Sequence, residues 1–131
     1  MGNRCVITTE TREVGVYMHW NGNPDFVASL LKYCKRAGFR RPESDCYGWA
    51  RLCQVAANYF GGALSIGIDR YDRLDTDNGD NGTYIIRDWE IVDREFGEGF
   101  GEANTEIMIA IDNAQPVPML RGGVSHVQDM E

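Results

Sequence analysis

The run Asp45-Cys46-Tyr47-Gly48-Trp49-Ala50-Arg51 puts a thiol, a phenol and a guanidinium into one short stretch. Asp45 is a helix-capping type, because its carboxylate can accept from the free N–H groups of a first turn. Cys46 then falls beside the positive end of that helix, where a thiolate is favoured. Tyr47 and Arg51 are four residues apart and project from one face, which continues through Gln54, Val55 and Asn58. Trp49, Leu52, Cys53, Ala56, Tyr59 and Phe60 make the opposite face apolar. Two chemistries fit these residues: a cysteine nucleophile, or a binding surface built from Tyr47 and Arg51.

A second candidate is the loop His19-Trp20-Asn21-Gly22. Trp20 offers a flat stacking face for a base, and Asn21 offers a donor and an acceptor. The bland alternative is a Trp packed beneath its own loop. Arg51 and Arg94 are the least loop-like arginines, and a guanidinium fork matches phosphate oxygens. Against that stands ion pairing with the abundant Asp and Glu; Arg40-Arg41 reads as a solvated loop. The stretch from Asp75 to Gly82 partly resembles a calcium loop. No register, however, combines alternating ligands, a sixth-position Gly and a twelfth-position Glu. A solvated turn is favoured there over a metal site, with Asn78 and Asn81 as amides that could face a ligand.

The elements that must position these groups follow from periodicity. Residues 4–9 are β-prone, and in 13–18 Val14, Val16 and Met18 alternate, which predicts an antiparallel hairpin. Asn23 and Pro24 open a helix with Phe26, Val27, Leu30, Leu31 and Cys34 on one face, ended by Gly38. The second helix covers about 45–60 and stops at Gly61-Gly62. Leu64, Ile66 and Ile68 alternate with small residues and predict a strand whose other face is closely approached. Residues 69–82 read as a long polar loop. Residues 83–87 and 89–95 predict two strands, or one strand bulged near Asp88. A last helix over about 103–115 carries Ile107, Met108 and Ile111, a stripe expected to pack on a neighbouring subunit. The fold class expected is α+β: a mostly antiparallel sheet of about five strands packed by two or three helices, oligomeric. A single domain is expected over 1–118, and 119–131 as a mobile C-terminal tail.

Composition narrows the function. A chain of 131 residues with net charge −7 lacks the basic stripe that a nucleic-acid polymer requires. It has no stretch long enough to span a membrane. Cys5, Cys34 and Cys53 read as buried thiols of a reducing cytoplasm, not as a disulfide framework. No spacing suits structural zinc, since the histidines are His19 and His126 alone.

Two resemblances bear on function. Asp45-Cys46-Tyr47-Gly48-Trp49 resembles the start of the catalytic helix in NlpC-type cysteine peptidases. Those enzymes place a histidine base on a strand after the cysteine, whereas here His19 precedes Cys46 and His126 falls in the expected tail. The broader resemblance is to the first Thoeris anti-defence family of phage proteins. It rests on Met1-Gly2-Asn3-Arg4, Val6-Ile7-Thr8-Thr9, Gly15-Val16-Tyr17, His19-Trp20-Asn21-Gly22, Ser44 through Arg51, and Asp75 through Tyr84. It spans residues 1–95 and weakens across 97–131. The resemblance implies a sponge: a non-enzymatic protein without cofactor that sequesters a cyclic ADP-ribose isomer in the host bacterial cytoplasm. It further allows a second site for cyclic di- or trinucleotides, and a homodimer or a larger even-numbered assembly such as a hexamer. The residue types such a ligand requires are supplied by Trp20, Asn21, Tyr47, Arg51, Asn78, Asn81, Tyr84 and Arg94. The alternative is a small cysteine hydrolase using Cys46 and His19.

Overall fold

The computed structural model describes residues 3–117. Each helix in it begins where a side chain satisfies the first-turn N–H groups. Asn23 caps α1 (Pro24–Arg36), its Oδ1 accepting from Phe26 N–H at 2.9 Å. Asp45 caps α2 (Cys46–Phe60) by accepting from Tyr47 N–H, and Gly61 closes that helix in the left-handed region at φ +80°. Asn104 caps α3 (Thr105–Asn113).

The strands are β1 (Cys5–Thr9), β2 (Val14–Met18), β3 (Ile66–Arg70), β4 (Thr83–Arg87) and β5 (Glu90–Glu95), in the spatial order β3-β2-β1-β4-β5. The β1–β2, β2–β3 and β4–β5 ladders are antiparallel, with Ile7 opposite Val16 and Val16 opposite Ile68. The central β1–β4 ladder is parallel, with Ile7 opposite Tyr84. The sheet is therefore mixed, not mostly antiparallel as expected. The cause is the connection 71–82, which crosses the sheet from its β3 edge and delivers β4 alongside β1 in the same direction.

One face of the sheet carries Cys5, Ile7, Val16, Met18, Tyr84 and Ile86, and all three helices pack there. Phe26, Leu30, Leu31, Trp49, Leu52, Val55 and Ile111 complete that core. Val55, placed with the polar face by its spacing, is buried in it. Met108 and Ile111 also lie in the chain's own core, so the stripe expected to face a neighbouring subunit is used internally; Ile109 is the exposed apolar residue of α3. Tyr33 ties α1 to α3 by donating to Asp112 Oδ1 at 2.7 Å, both groups being buried. The segment 71–82 covers part of the opposite face. Room for it comes from Gly15, where a Cβ would stand 2.8 Å from Leu74 Cδ1. The other face of β3, expected to be closely approached, is open at Gly67, where nothing lies within 4 Å of a Cβ.

The β4–β5 link is a two-residue turn, Asp88-Trp89, with φ of +53° and +64°. Both central residues take the left-handed region that the sheet's twist selects in a tight hairpin. A tryptophan tolerates it because its ring is buried and its Nε1–H donates to Phe39 O at 3.1 Å. Cys5 and Cys34 are fully buried, and burial pushes the Cys5 thiol up to about 12. Cys53, expected to be buried, is only partly so, and Cys46 is exposed. β3 extends to Arg70 and a 3₁₀ turn follows over Tyr71–Arg73, so the expected loop 69–82 is shorter than its sequence suggested. The expected tail 119–131 lies outside the described residues. Among the described residues no helix is long and apolar enough to cross a membrane.

Candidate functional site

The residues singled out by type separate into three places. The first is a cavity of about 750 Å³ where the end of β2, the end of α2 and the lead into β3 meet. Tyr17, His19, Trp20 and Asn21 line one side; Phe60, Gly61, Gly62, Leu64, Ser65, Ile66 and Gly67 line the rest. Trp20 is 49 % exposed, so it does not pack beneath its own loop. The backbone around it is held firmly. His19 N–H donates to Ser65 O at 2.9 Å, its carbonyl accepts from Asn3 N–H, and Gly22 N–H donates to Asn3 O at 2.7 Å. Asn21 turns the chain at φ +59°. Within the cavity, Tyr17 Oη lies 2.9 Å from His19 Nδ1, and the His19 ring meets Trp20 edge-on with centroids 4.6 Å apart. Leu64 is wholly exposed at the rim. An aromatic wall beside a carboxamide, open to solvent, is an arrangement that can stack a base and read its edge.

The second place is the start of α2. Tyr47 is half-exposed, with the Arg40 guanidinium 4.7 Å and the Arg51 guanidinium 5.8 Å from its ring centroid. Arg40 also pairs with Asp45 at 3.2 Å. It reaches this position because the segment 39–44 lies directly on the first turn of α2: a Cβ at Gly48 would stand 2.5 Å from Arg40 O. Arg40, expected to be a solvated loop residue, is thus part of a cationic cluster. The expectation that Tyr47 and Arg51 share a face is met.

The third place holds Asn78, Asn81, Tyr84 and Arg94, whose polar atoms serve the chain itself. Arg94 donates to the carbonyls of Thr83, Glu98, Gly99 and Asn81, and its guanidinium stands 3.9 Å over the Tyr84 ring. Tyr84 is fully buried, its hydroxyl donates to Gly22 O at 2.6 Å, and burial raises its pKa. Asn78 is buried; its Oδ1 accepts from Asp80 and Gly82 N–H, and its Nδ2 donates to Asp75 and Gly82 O. Asn81 donates to Asn3 Oδ1 at 2.6 Å. This knot lies under the Trp20 loop, which it supports through Gly22.

The first two places are not adjacent. Phe60 lines the cavity and Tyr47 lies thirteen residues earlier, so roughly 20 Å of helix separates them. Cys46 and His19 are divided by the same helix and form no dyad. Among the described residues no group of three or more His, Cys, Asp or Glu side chains is placed to hold a metal ion. Sequence reasoning missed Tyr17 and Gly61-Gly62 as cavity residues. Tyr17 had a usable signal, since it shares a strand face with His19 two residues on; Gly61-Gly62 reads only as a helix stop. Comparison of the chain with protein-family models, curated proteins and solved structures returned no match.

Proposed function

We propose that the chain binds and sequesters a cyclic ADP-ribose-type signal, such as a glyco-cyclic ADP-ribose isomer, without degrading it. What supports this reading most is the Trp20 cavity, in which a half-exposed indole and the Asn21 carboxamide face an open space of about 750 Å³. Trp20 stacks the adenine and Asn21 reads its edge or a ribose hydroxyl. The cavity lining holds no arginine for a pyrophosphate, whereas Tyr47, Arg40 and Arg51 cluster roughly 20 Å away. A single ligand engages both only if a second copy brings its cationic cluster to the first copy's cavity. The working form proposed is accordingly a homodimer, or a larger even-numbered assembly such as a hexamer, in the host bacterial cytoplasm.

The test is capture and release. The protein is incubated with the signal, separated from excess and heat-denatured, and the released molecule is identified by mass spectrometry. Recovery of the intact molecule in a fixed ratio to protein is the expected result. Recovery of hydrolysis products would overturn sequestration in favour of turnover, and recovery of nothing would end the ligand reading. Cyclic di- and trinucleotides carried through the same steps test for a second site.

A further inference from the structure

Eleven residues line the Trp20 cavity, and none of them is Asp, Glu, Lys or Arg. His19 is the one side chain among them that can carry a positive charge. Its surroundings define what it can do. Tyr17 Oη occupies Nδ1 at 2.9 Å, and among the described residues Nε2 has no partner. The backbone that carries the ring is fixed on both sides, its N–H bonded to Ser65 O and its C=O to Asn3 N–H. Its ring also rests edge-on against Trp20, the proposed stacking wall. Tyr17 serves either form of the ring: its hydroxyl donates to a neutral Nδ1 and accepts from a protonated one. Burial raises the Tyr17 pKa, which keeps that hydroxyl protonated at neutral pH.

We infer that His19, oriented by Tyr17, is the residue by which this cavity distinguishes a phosphorylated nucleotide from an uncharged nucleoside. With Nδ1 engaged, Nε2 is the ring nitrogen left for a ligand. In the neutral ring it offers one N–H; on protonation the ring supplies a cationic hydrogen-bond donor, the one among the described lining residues. No other residue of the lining duplicates it, and the Arg40–Arg51 cluster that a second copy would bring is a separate contact. Arg4, Asp75 and Asp80 lie on the Tyr17 side, where they are paired to one another at 2.7 Å and 3.8 Å. The β3 and α2 portions of the wall are Ile66, Gly67 and Phe60. It follows that His19 contributes to capture of a phosphorylated ligand and not to capture of a nucleoside.

This inference rests on the reading of the cavity as a nucleotide site, and the experiment separates the two. ADP-ribose and adenosine are titrated calorimetrically into the full chain and into two variants. The expected result is that His19→Gln weakens ADP-ribose binding by about tenfold while adenosine binds as in the parent. Tyr17→Phe weakens ADP-ribose by less and leaves adenosine unchanged, as the ring loses its orientation. ADP-ribose binding unaffected by His19→Gln overturns the His19 inference and leaves the cavity reading standing, and so does an equal loss for both probes. Binding of neither probe to the parent overturns both.

Discussion

The Trp20 cavity and the Tyr84–Arg94 knot are built from the same residue types and lie within one loop's reach of each other. Each offers an aromatic ring, a carboxamide and a nitrogen donor. They differ in where the donors point. Arg94 gives its N–H groups to four backbone carbonyls and its flat face to Tyr84, and Asn78 spends both ends of its amide on the 75–82 turn. Trp20 is half-exposed, and His19 Nε2 has no partner among the described residues. A side chain that resembles a ligand contact in composition acts as scaffold once its own chain has taken its hydrogen-bonding capacity. The knot holds Gly22, Gly22 ends the loop that carries Trp20, and so one region positions the other.

The contrast can be broken most directly at Arg94. Arg94→Ala removes the donors to Thr83, Glu98, Gly99 and Asn81 and the cation over the Tyr84 ring together. A loss of about 3 kcal/mol is expected, seen as a Tm lower by roughly 10 °C. A thermal melt unchanged within a degree or so would mean the knot carries no structural load. Asn78→Ala should cost about 2 kcal/mol, because the Gly82 N–H loses its partner inside the fold and its C=O keeps only the Val6 N–H. The denaturant midpoint should fall while ADP-ribose capture by the folded protein persists.

Trp20→Ala inverts the pattern. Its ring is half in solvent, so the melt should move little, whereas capture should weaken by roughly 1–3 kcal/mol, the cost of a lost base–aromatic stack. If Trp20→Ala lowers stability as much as Asn78→Ala does, the ring is a packing residue and the comparison fails. Arg51→Ala is expected to weaken capture about tenfold without changing the melt, through loss of one charge-assisted phosphate contact. Arg40→Ala should weaken it less but measurably, since Arg40 stands over the same Tyr47 ring and is not an inert control.

The smallest effect concerns the ion pair beside the knot. The Arg4 side chain and backbone N–H both bond to Asp80, and those bonds hold its carboxyl below the usual carboxylate range. A carboxyl with a depressed pKa contributes stability above its ordinary value, and that contribution disappears as pH falls through the folded-state value. Asp80→Asn should therefore be slightly less stable than the parent at neutral pH. The gap should close as pH drops below about 4. A gap that widens in acid would show that Asp80 acts through something other than its charge.

Much of the fold was legible because its signals are local. Asn23-Pro24, Asp45 and Gly61 mark helix ends through hydrogen bonds reaching only two or three residues, or through one residue's own φ. The alternation of Val14, Val16 and Met18 identified a strand face because the period of two is set by the backbone alone. The parallel β1–β4 ladder was not legible. It depends on where the segment 71–82 crosses, which is settled by packing such as Leu74 over Gly15. Val55 and the α3 stripe were misplaced for the same kind of reason: a helix's spacing tells which residues share a face, not what covers that face.

By itself the sequence determined the element order, the caps of α1 and α2, the pairing of Tyr47 with Arg51 on one helical face, and the acidic net charge of the chain. These properties are written in neighbouring residues or in totals. Tertiary structure alone decided which aromatic and polar residues face open space. It buried Tyr84, enclosed Asn78 in its own turn, drew Arg40 over Tyr47 and set His19 between Tyr17 and Trp20. The physical reason is that hydrogen-bond capacity and solvent access are assigned by distant parts of the chain. Arg94 is bound to carbonyls as many as thirteen residues away, and Tyr84 to one sixty-two residues away.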